Sequence, residues 1–288
     1  MRKAKQIHGL AAFAAVFSAC AAVQGLFRAE IIDFFFRLWY NNMESSAIPE
    51  KEYVMITSLS QETMAKYLVR LFIIFLILPL HEYAHARTAY KLGDDTAMYQ
   101  GRMTLNPISH IDPIGALCLL LGGFGWAKPV PIDPTRFNRK HSMRFGVAIT
   151  ALAGPVSNLI AAFIGMIVFR IYILSSVYTN YVTDVSAGEA VKNGPQLLFI
   201  MLSSFVSINI GLAVFNLIPI PPLDGSKVIG YFTGPKVDRW FAQNAQIIRI
   251  VFLILIVTPV LSIPLGFLSN LIFSGFWFLT NWVPMLFH

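Results

Sequence analysis

Charge is the first thing this sequence has little of. Of its 288 residues only 13% are Asp, Glu, Lys or Arg, while 56% are hydrophobic. A soluble domain carries roughly 25% charged and about 45–50% apolar residues. That scarcity excludes a water-soluble globular enzyme, and the apolar content excludes a disordered or collagen-like chain. Cysteine is scarce as well. Cys20 and Cys118 both sit in apolar stretches, exclude a disulfide framework, and read as small hydrophobes. The chain has no internal repeat, no low-complexity tract and no hydrophilic block long enough for a separate soluble domain. From Ile250 to the end there is no Asp, Glu, Lys or Arg at all.

What is present are long apolar runs and basic loops. Mean hydropathy is +0.63. The formal charge of +7 would raise the question of nucleic acid in a soluble protein. Here the cations gather in a few loops and report membrane topology instead, so no nucleic-acid partner is expected. Arg2, Lys3 and Lys5 precede an apolar stretch from Gly9 to Phe27. This stretch reads either as a cleavable signal segment or as a retained first span of about twenty residues. Either reading starts the chain in the cytoplasm. The following loop, Arg28 to Lys66, is acid-tinged and lies outside, with an aromatic-rich Ile31–Tyr40 suited to the interface.

Tyr67 to Leu80 begins a strongly apolar helix. Between Arg87 and Arg144 the chain then collects Arg87, Lys91, Arg102, Lys128, Arg136, Arg139, Lys140 and Arg144, which places this stretch in the cytoplasm. Within it Ile114 to Phe124 is too short to span and reads as a membrane-dipping piece. Met98–Leu105 and Trp126–Ile132 are expected to be extended, the second as an edge strand because of Pro129 and Pro131. Phe145 to Tyr172 and Leu197 to Leu217 are the next spans. Pro259 and Pro264 are expected to kink or break the uncharged tail. The fold class is therefore an all-α polytopic membrane protein with about six transmembrane helices. Its cytoplasmic membrane-dipping loop is expected to hold a small β-hairpin or sheet.

The chemistry begins at His81-Glu82-Tyr83-Ala84-His85. Residues four apart share a helical face, so both imidazoles can reach one metal. Glu82 lies about 100° round the helix, beside a metal-bound water and not on the metal, where it can act as general base. Five residues alone are a weak pattern. Their position at the end of an apolar helix strengthens it, because ionisable groups at membrane depth cost several kcal/mol unless they are partnered. The competing reading is a polar cluster satisfied by neighbouring helices.

A third ligand has to come from elsewhere. A downstream Gly and His would have to stand at Thr88 and Lys91, and the next Glu after Glu82 is Glu189. The remaining membrane-proximal ligands are His110, Asp112 and Asp224. Asp224 follows Pro219, Pro221 and Pro222, which break the span. It reads either as a helix cap or as the missing ligand, and the incomplete His pair favours the ligand.

His81-Glu82-x-x-His85 followed by Asn216-x-x-Pro219-x-Pro221-Pro222-Leu223-Asp224-Gly225 resembles the site-2 protease family of intramembrane zinc metalloproteases. Gly101-Arg102-x-Thr104-Leu105-Asn106-Pro107-x-x-His110-Ile111-Asp112-Pro113-x-Gly115 resembles the compact prokaryotic branch. So do Gly125-Trp126-Ala127-Lys128-Pro129-Val130-Pro131 and Ala153-Gly154-Pro155-x-x-Asn158. The likeness covers Ile73 to Ile229, with no PDZ insert or CBS module.

The resemblance implies one Zn²⁺ held by His81, His85 and Asp224, with Glu82 activating water. Asn158 would act near the reaction as a carbonyl or oxyanion donor, or else make an interhelical hydrogen bond. His110 and Asp112 would serve the dipping loop structurally. The implied substrates are transmembrane proteins in a lipid bilayer. A helical segment hides its carbonyls and must unwind before attack, and by the loop's position an edge strand from Met98–Leu105 or Trp126–Ile132 is expected to hold it by strand addition. The implied location is the bacterial cell membrane, with the site near the cytoplasmic side. The chain then divides into an N-terminal span and outer loop (1–66), a catalytic membrane core (67–232) and a C-terminal cytoplasmic loop with hydrophobic helices (233–288). The alternatives are an inactive helix-binding relative, which the intact Glu82 opposes, and a transporter, which would show an internal repeat.

Overall fold

The computed structural model describes residues 61–115, 127–186, 193–258 and 260–286. The expected first span Gly9–Phe27, the interfacial Ile31–Tyr40 and most of Ile114–Phe124 lie outside the described residues. Two compact units are present, Met1–Glu52 with Ile111–Ala127, and Tyr53–His110 with Lys128–His288. In the first, Ile111 and Ala127 form an isolated antiparallel bridge. Asp112 Oδ1 accepts from the N–H groups of Ile114 and Gly115 at 3.0 and 2.8 Å, closing a turn.

The second unit is helical. Helix α1 (Gln61–Lys91) carries the apolar run and the His pair. The short α2 (Thr96–Tyr99) follows. Next come α3 (Met143–Leu174), α4 (Ser176–Ser186) and α5 (Asn193–Asn216). The last four are α6 (Asp224–Thr233), α7 (Pro235–Gln243), α8 (Ala245–Val257) and α9 (Ser262–Leu279). Among the described residues three helices are long and apolar enough to cross a membrane, Met143–Leu174, Gly194–Asn216 and Ser262–Leu286, with a shorter apolar one at Ala245–Leu255. The chain is thus a mostly α-helical, multi-pass membrane protein. The expectation of about six spans is corrected to these three among the described residues.

Helix α3 organises the bundle, packing against α1, α5 and α6. Ser142 caps it by accepting the Phe145 N–H at 3.3 Å. One face is small and buried, with Ala148, Ala151, Gly154, Asn158, Ala162 and Gly165, so neighbouring backbones approach closely. The opposite face exposes Val156, Ile160, Ile164, Val168 and Ile171 at helical spacing, as a lipid-facing stripe does. At 32 residues it is about 48 Å long, more than the hydrocarbon thickness of about 30 Å, so its ends reach into the interfaces. Ala162, Met166 and Phe169 meet Val206, Ile210 and Val214 of α5 in the main core, and Ile77 of α1 packs on the other side of α5. Near its far end, buried Arg170 stacks 3.8 Å over the Trp277 ring and donates to the Trp277 carbonyl, tying α9 to α3.

Three local expectations are corrected. No hairpin or sheet exists among the described residues. Met98–Leu105 is not extended: Asp94 Oδ1 accepts the Thr96 N–H at 3.0 Å and its hydroxyl, which starts the short helix α2, and Gly101 at φ +64° turns the chain out of it. Of the expected strand Trp126–Ile132, Ala127 forms the isolated bridge to Ile111 and the Lys128 N–H donates to the His110 carbonyl at 2.8 Å, but no ladder follows, since Pro129 and Pro131 carry no N–H. The tail breaks between α8 and α9, as expected, but Pro264 sits in the first turn of α9, where its missing N–H costs nothing; Pro259 lies outside the described residues.

Candidate metal centre

Helix α1 presents His81 and His85 on the face turned towards α3. Both are buried. Their Nε2 atoms stand 3.0 Å apart, with the rings nearly perpendicular at 84°. Each ring is held through its other nitrogen by α3. His85 Nδ1 donates to the Thr150 carbonyl at 2.7 Å. A carbonyl only accepts, so this nitrogen bears the proton. His81 Nδ1 donates to Asn158 Oδ1 at 2.9 Å. With Nδ1 bonded to α3, each ring turns its Nε2 towards the same spot, the arrangement by which outer hydrogen bonds orient metal-binding imidazoles.

Asp224 completes the set. Its Oδ2 lies 3.1 Å from His85 Nε2 and 3.4 Å from His81 Nε2. Its Oδ1 accepts from Lys227 Nζ at 3.2 Å, one helical turn on. Asp224 is the first residue of α6, while Leu223 occupies the cap position without a side-chain bond. The cap reading therefore gives way to the ligand geometry. The chain reaches this position through a tight return after α5. A Cβ at Gly225 would stand 2.2 Å from the Leu217 carbonyl oxygen and 2.5 Å from that of Ile218, so only glycine lets α6 begin there.

Two observations test whether a metal fits. Ligands of a tetrahedral ion with bonds of about 2.0–2.2 Å stand roughly 3.3–3.5 Å apart. The separations here are 3.0, 3.1 and 3.4 Å. The second observation is Gly154 on α3. A Cβ there would lie 2.4 Å from His85 Nε2 and 2.6 Å from His81 Nε2, close to coordination distance from both. The space beside the two lone pairs exists because this residue has no side chain. Two imidazoles and a carboxylate crowding one cradle are a donor set that calls for a cation. Among the described residues this is the one group of three or more such side chains with that convergence.

Glu82 is half-buried and stands outside the triad. Its Oε2 accepts the Val130 N–H at 2.9 Å. Val130 belongs to a strap, Lys128–Asp133, clamped at both ends. The Arg102 guanidinium donates to the Lys128 carbonyl at 2.6 Å, and Asp94 Oδ2 accepts the Asp133 N–H at 2.7 Å. Val130 and Asp133 each precede a proline, which keeps them extended. As an edge for strand addition the strap is poorer than expected. Its prolines lack donors, and the Val130 N–H is already committed to Glu82.

His110 stands apart from the triad. His110 is buried, donating through Nε2 to the Thr104 carbonyl at 2.8 Å, and Asp112 serves its own turn. Sequence reasoning missed Thr150, Val130, Gly154 and Lys227 as parts of the site. The first two act through backbone atoms, which leave no side-chain signal. Lys227 was legible as an i, i+3 partner of Asp224 once α6 starts at that Asp.

Two buried imidazoles and one buried carboxylate, held against α3, a helix long and apolar enough to cross a membrane, form a metal site consistent with a zinc-dependent membrane protease. Residues 69–258 match peptidase family M50, the site-2 protease family, and the chain belongs to it. YwhC of Bacillus subtilis, which carries a zinc-metalloprotease name, is 44% identical over 180 residues, 62% of this chain and 76% of the relative. Rip2 of Mycolicibacterium smegmatis, named likewise, is 27% identical over 188 residues, and the chain spans 64% of its length. MJ0611 of Methanocaldococcus jannaschii, also so named, is 37% identical over a shorter stretch of 79 residues. No solved structure gives a significant match.

Proposed function

We propose that this chain is an intramembrane protease that binds one Zn²⁺ through His81, His85 and Asp224 and hydrolyses peptide bonds in or near transmembrane segments of membrane proteins. The observation that carries the reading is the convergence of the two Nε2 atoms with Asp224 Oδ2, both imidazoles lying against Gly154. Zn²⁺ in that cradle supplies Lewis acidity towards a carbonyl and towards water. The rest is done by the chain. Glu82 has one oxygen anchored on the Val130 N–H, which leaves Oε1 to take a proton from the attacking water and deliver it to the leaving amine. Thr150 and Asn158 fix the two imidazoles, and Lys227 fixes the carboxylate.

Asn158 positions His81. It is fully buried and its Oδ1 accepts from the ring, while its Nδ2, the donor that a carbonyl or oxyanion would need, has no partner. Asn158→Ala is expected to weaken zinc binding about 10–100-fold, the usual cost of losing an outer partner of a metal-binding His. Competition titration against a chelating dye measures this, with Asn158→Asp restoring the acceptor and the affinity. Equal affinities for wild type and Asn158→Ala would leave Asn158 to substrate contacts alone.

The catalytic core spans 67–232, in the bacterial cell membrane. The site lies near the cytoplasmic face, since it sits at the end of α1 that leads into the basic loops and beside the half-exposed Lys227. Water enters from that side. A helical substrate hides its carbonyls in its own hydrogen bonds and must unwind before attack. The test is cleavage, in liposomes, of a single-span protein with a Gly- or Pro-interrupted segment. Cleavage is expected to stop on treatment with 1,10-phenanthroline and to return with added Zn²⁺. Cleavage that persists in the metal-free protein contradicts the proposal.

A further inference from the structure

Immediately against the catalytic groups lies a cavity of about 230 Å³, lined by Val130, Ile132 and Pro134 of the strap, Val147, Thr150 and Ala151 of α3, and Lys227 of α6. Three of these residues each touch a different member of the site. Val130 holds Glu82, Thr150 holds His85, and Lys227 holds Asp224. The cavity is thus bounded by the same three elements that position the base and two of the ligands. Five of its seven lining residues carry apolar side chains, while polar atoms share the surface.

Size decides what enters. Small-molecule sites run to about 300–1,000 Å³. A helix with its side chains is roughly 10–12 Å across. A cavity of about 230 Å³ admits neither a cofactor nor a folded helix, but it has room for one large side chain. Consecutive residues of an extended peptide stand about 3.3–3.6 Å apart along the chain. A peptide whose scissile carbonyl faces the triad therefore brings a neighbouring side chain to this opening only if it is locally unwound.

We infer that this cavity is the specificity pocket for the substrate residue flanking the scissile bond. It takes one apolar side chain of Leu, Met or Phe size. The inference rests on the metalloprotease reading above. It makes the strap both the holder of Glu82 and the outer wall of the pocket, so side-chain fit and base position are set by one segment.

The probes are the purified zinc-loaded protein and hydroxamates, which chelate zinc without being cleaved. Acetohydroxamate reports the metal alone. Three peptidyl hydroxamates, differing only in the side chain next to the chelating group (hydrogen, isobutyl, benzyl), report the pocket. Burying an isobutyl or benzyl group is expected to tighten binding at least about tenfold over hydrogen in the wild type. Val147→Trp, which fills the cavity from α3, is expected to cut that advantage to under about threefold and to leave acetohydroxamate binding unchanged. Ile132→Phe fills it from the strap and is expected to do the same, should the first variant fold poorly. Equal binding of all three peptidyl hydroxamates by the wild type overturns the pocket, as does an undiminished advantage in a folded filled variant. Failure of acetohydroxamate itself to bind overturns the metalloprotease reading and the pocket with it.

Discussion

Gly154→Ala is expected to empty the metal site. The added methyl would stand 2.4 Å from His85 Nε2 and 2.6 Å from His81 Nε2 and Cε1. Ordinary carbon–nitrogen contact needs roughly 3.5 Å, so either the rings or helix α3 must move by about an ångström. Neither can do so without loss. Both rings are fixed through Nδ1 to α3 itself, at Thr150 and Asn158. A shift that relieves the clash breaks the bonds that aim the lone pairs, and a shift that keeps them leaves the methyl in the cradle. Each outer bond is worth about 10–100-fold in metal affinity. Losing both, with the cradle filled, is expected to weaken zinc binding by about 10³-fold or more. Zinc content after dialysis against a weak chelator reads this out. A Gly154→Ala protein that keeps stoichiometric zinc would mean that the ion sits elsewhere.

Glu82→Gln separates chemistry from binding. The amide has the shape of the carboxylate and retains a carbonyl oxygen for the Val130 N–H, so the strap keeps its anchor. The amide cannot take up a proton at pH 7. General-base catalysis by a positioned side chain contributes about 10²–10⁴-fold. The variant is expected to lose at least that factor in kcat, with zinc content and KM unchanged, the pattern of an interaction made only in the transition state. Single-turnover cleavage of the liposome substrate checks it. Wild-type turnover by Glu82→Gln would remove Glu82 from the mechanism.

The parts legible beforehand were those written in side-chain type and spacing. His81 and His85 had to share a face at i, i+4, and Asp224 followed the proline-broken end of a span. The long apolar helices also declared themselves: the expected Phe145–Tyr172 lies within Met143–Leu174, and Leu197–Leu217 overlaps Asn193–Asn216. The parts not legible were carried by backbone atoms and by empty space. Thr150 contributes a carbonyl and Val130 an N–H, groups that every residue except proline possesses in full. Gly154 was readable as a close-packing residue, but nothing in its neighbours along the chain says that two imidazoles occupy the facing side. Met98–Leu105 departs from the extended expectation because the preceding Asp94 bonds the Thr96 N–H and hydroxyl and begins a helical turn, a signal carried by residues outside the segment. Pro264 misled because a proline's effect depends on its place in a helix, and its first turn has no N–H to lose.

The measurement closest to the central claim is metal analysis of the purified full chain. Wild type, His81→Ala and Asp224→Ala are compared after gel filtration into metal-free buffer. The account predicts about one zinc per wild-type chain and a loss of most of it in both variants, because each removes one of three ligands drawn from two separate helices. Zinc retained in Asp224→Ala at the wild-type level would contradict it, since α6 would then have no part in holding the ion.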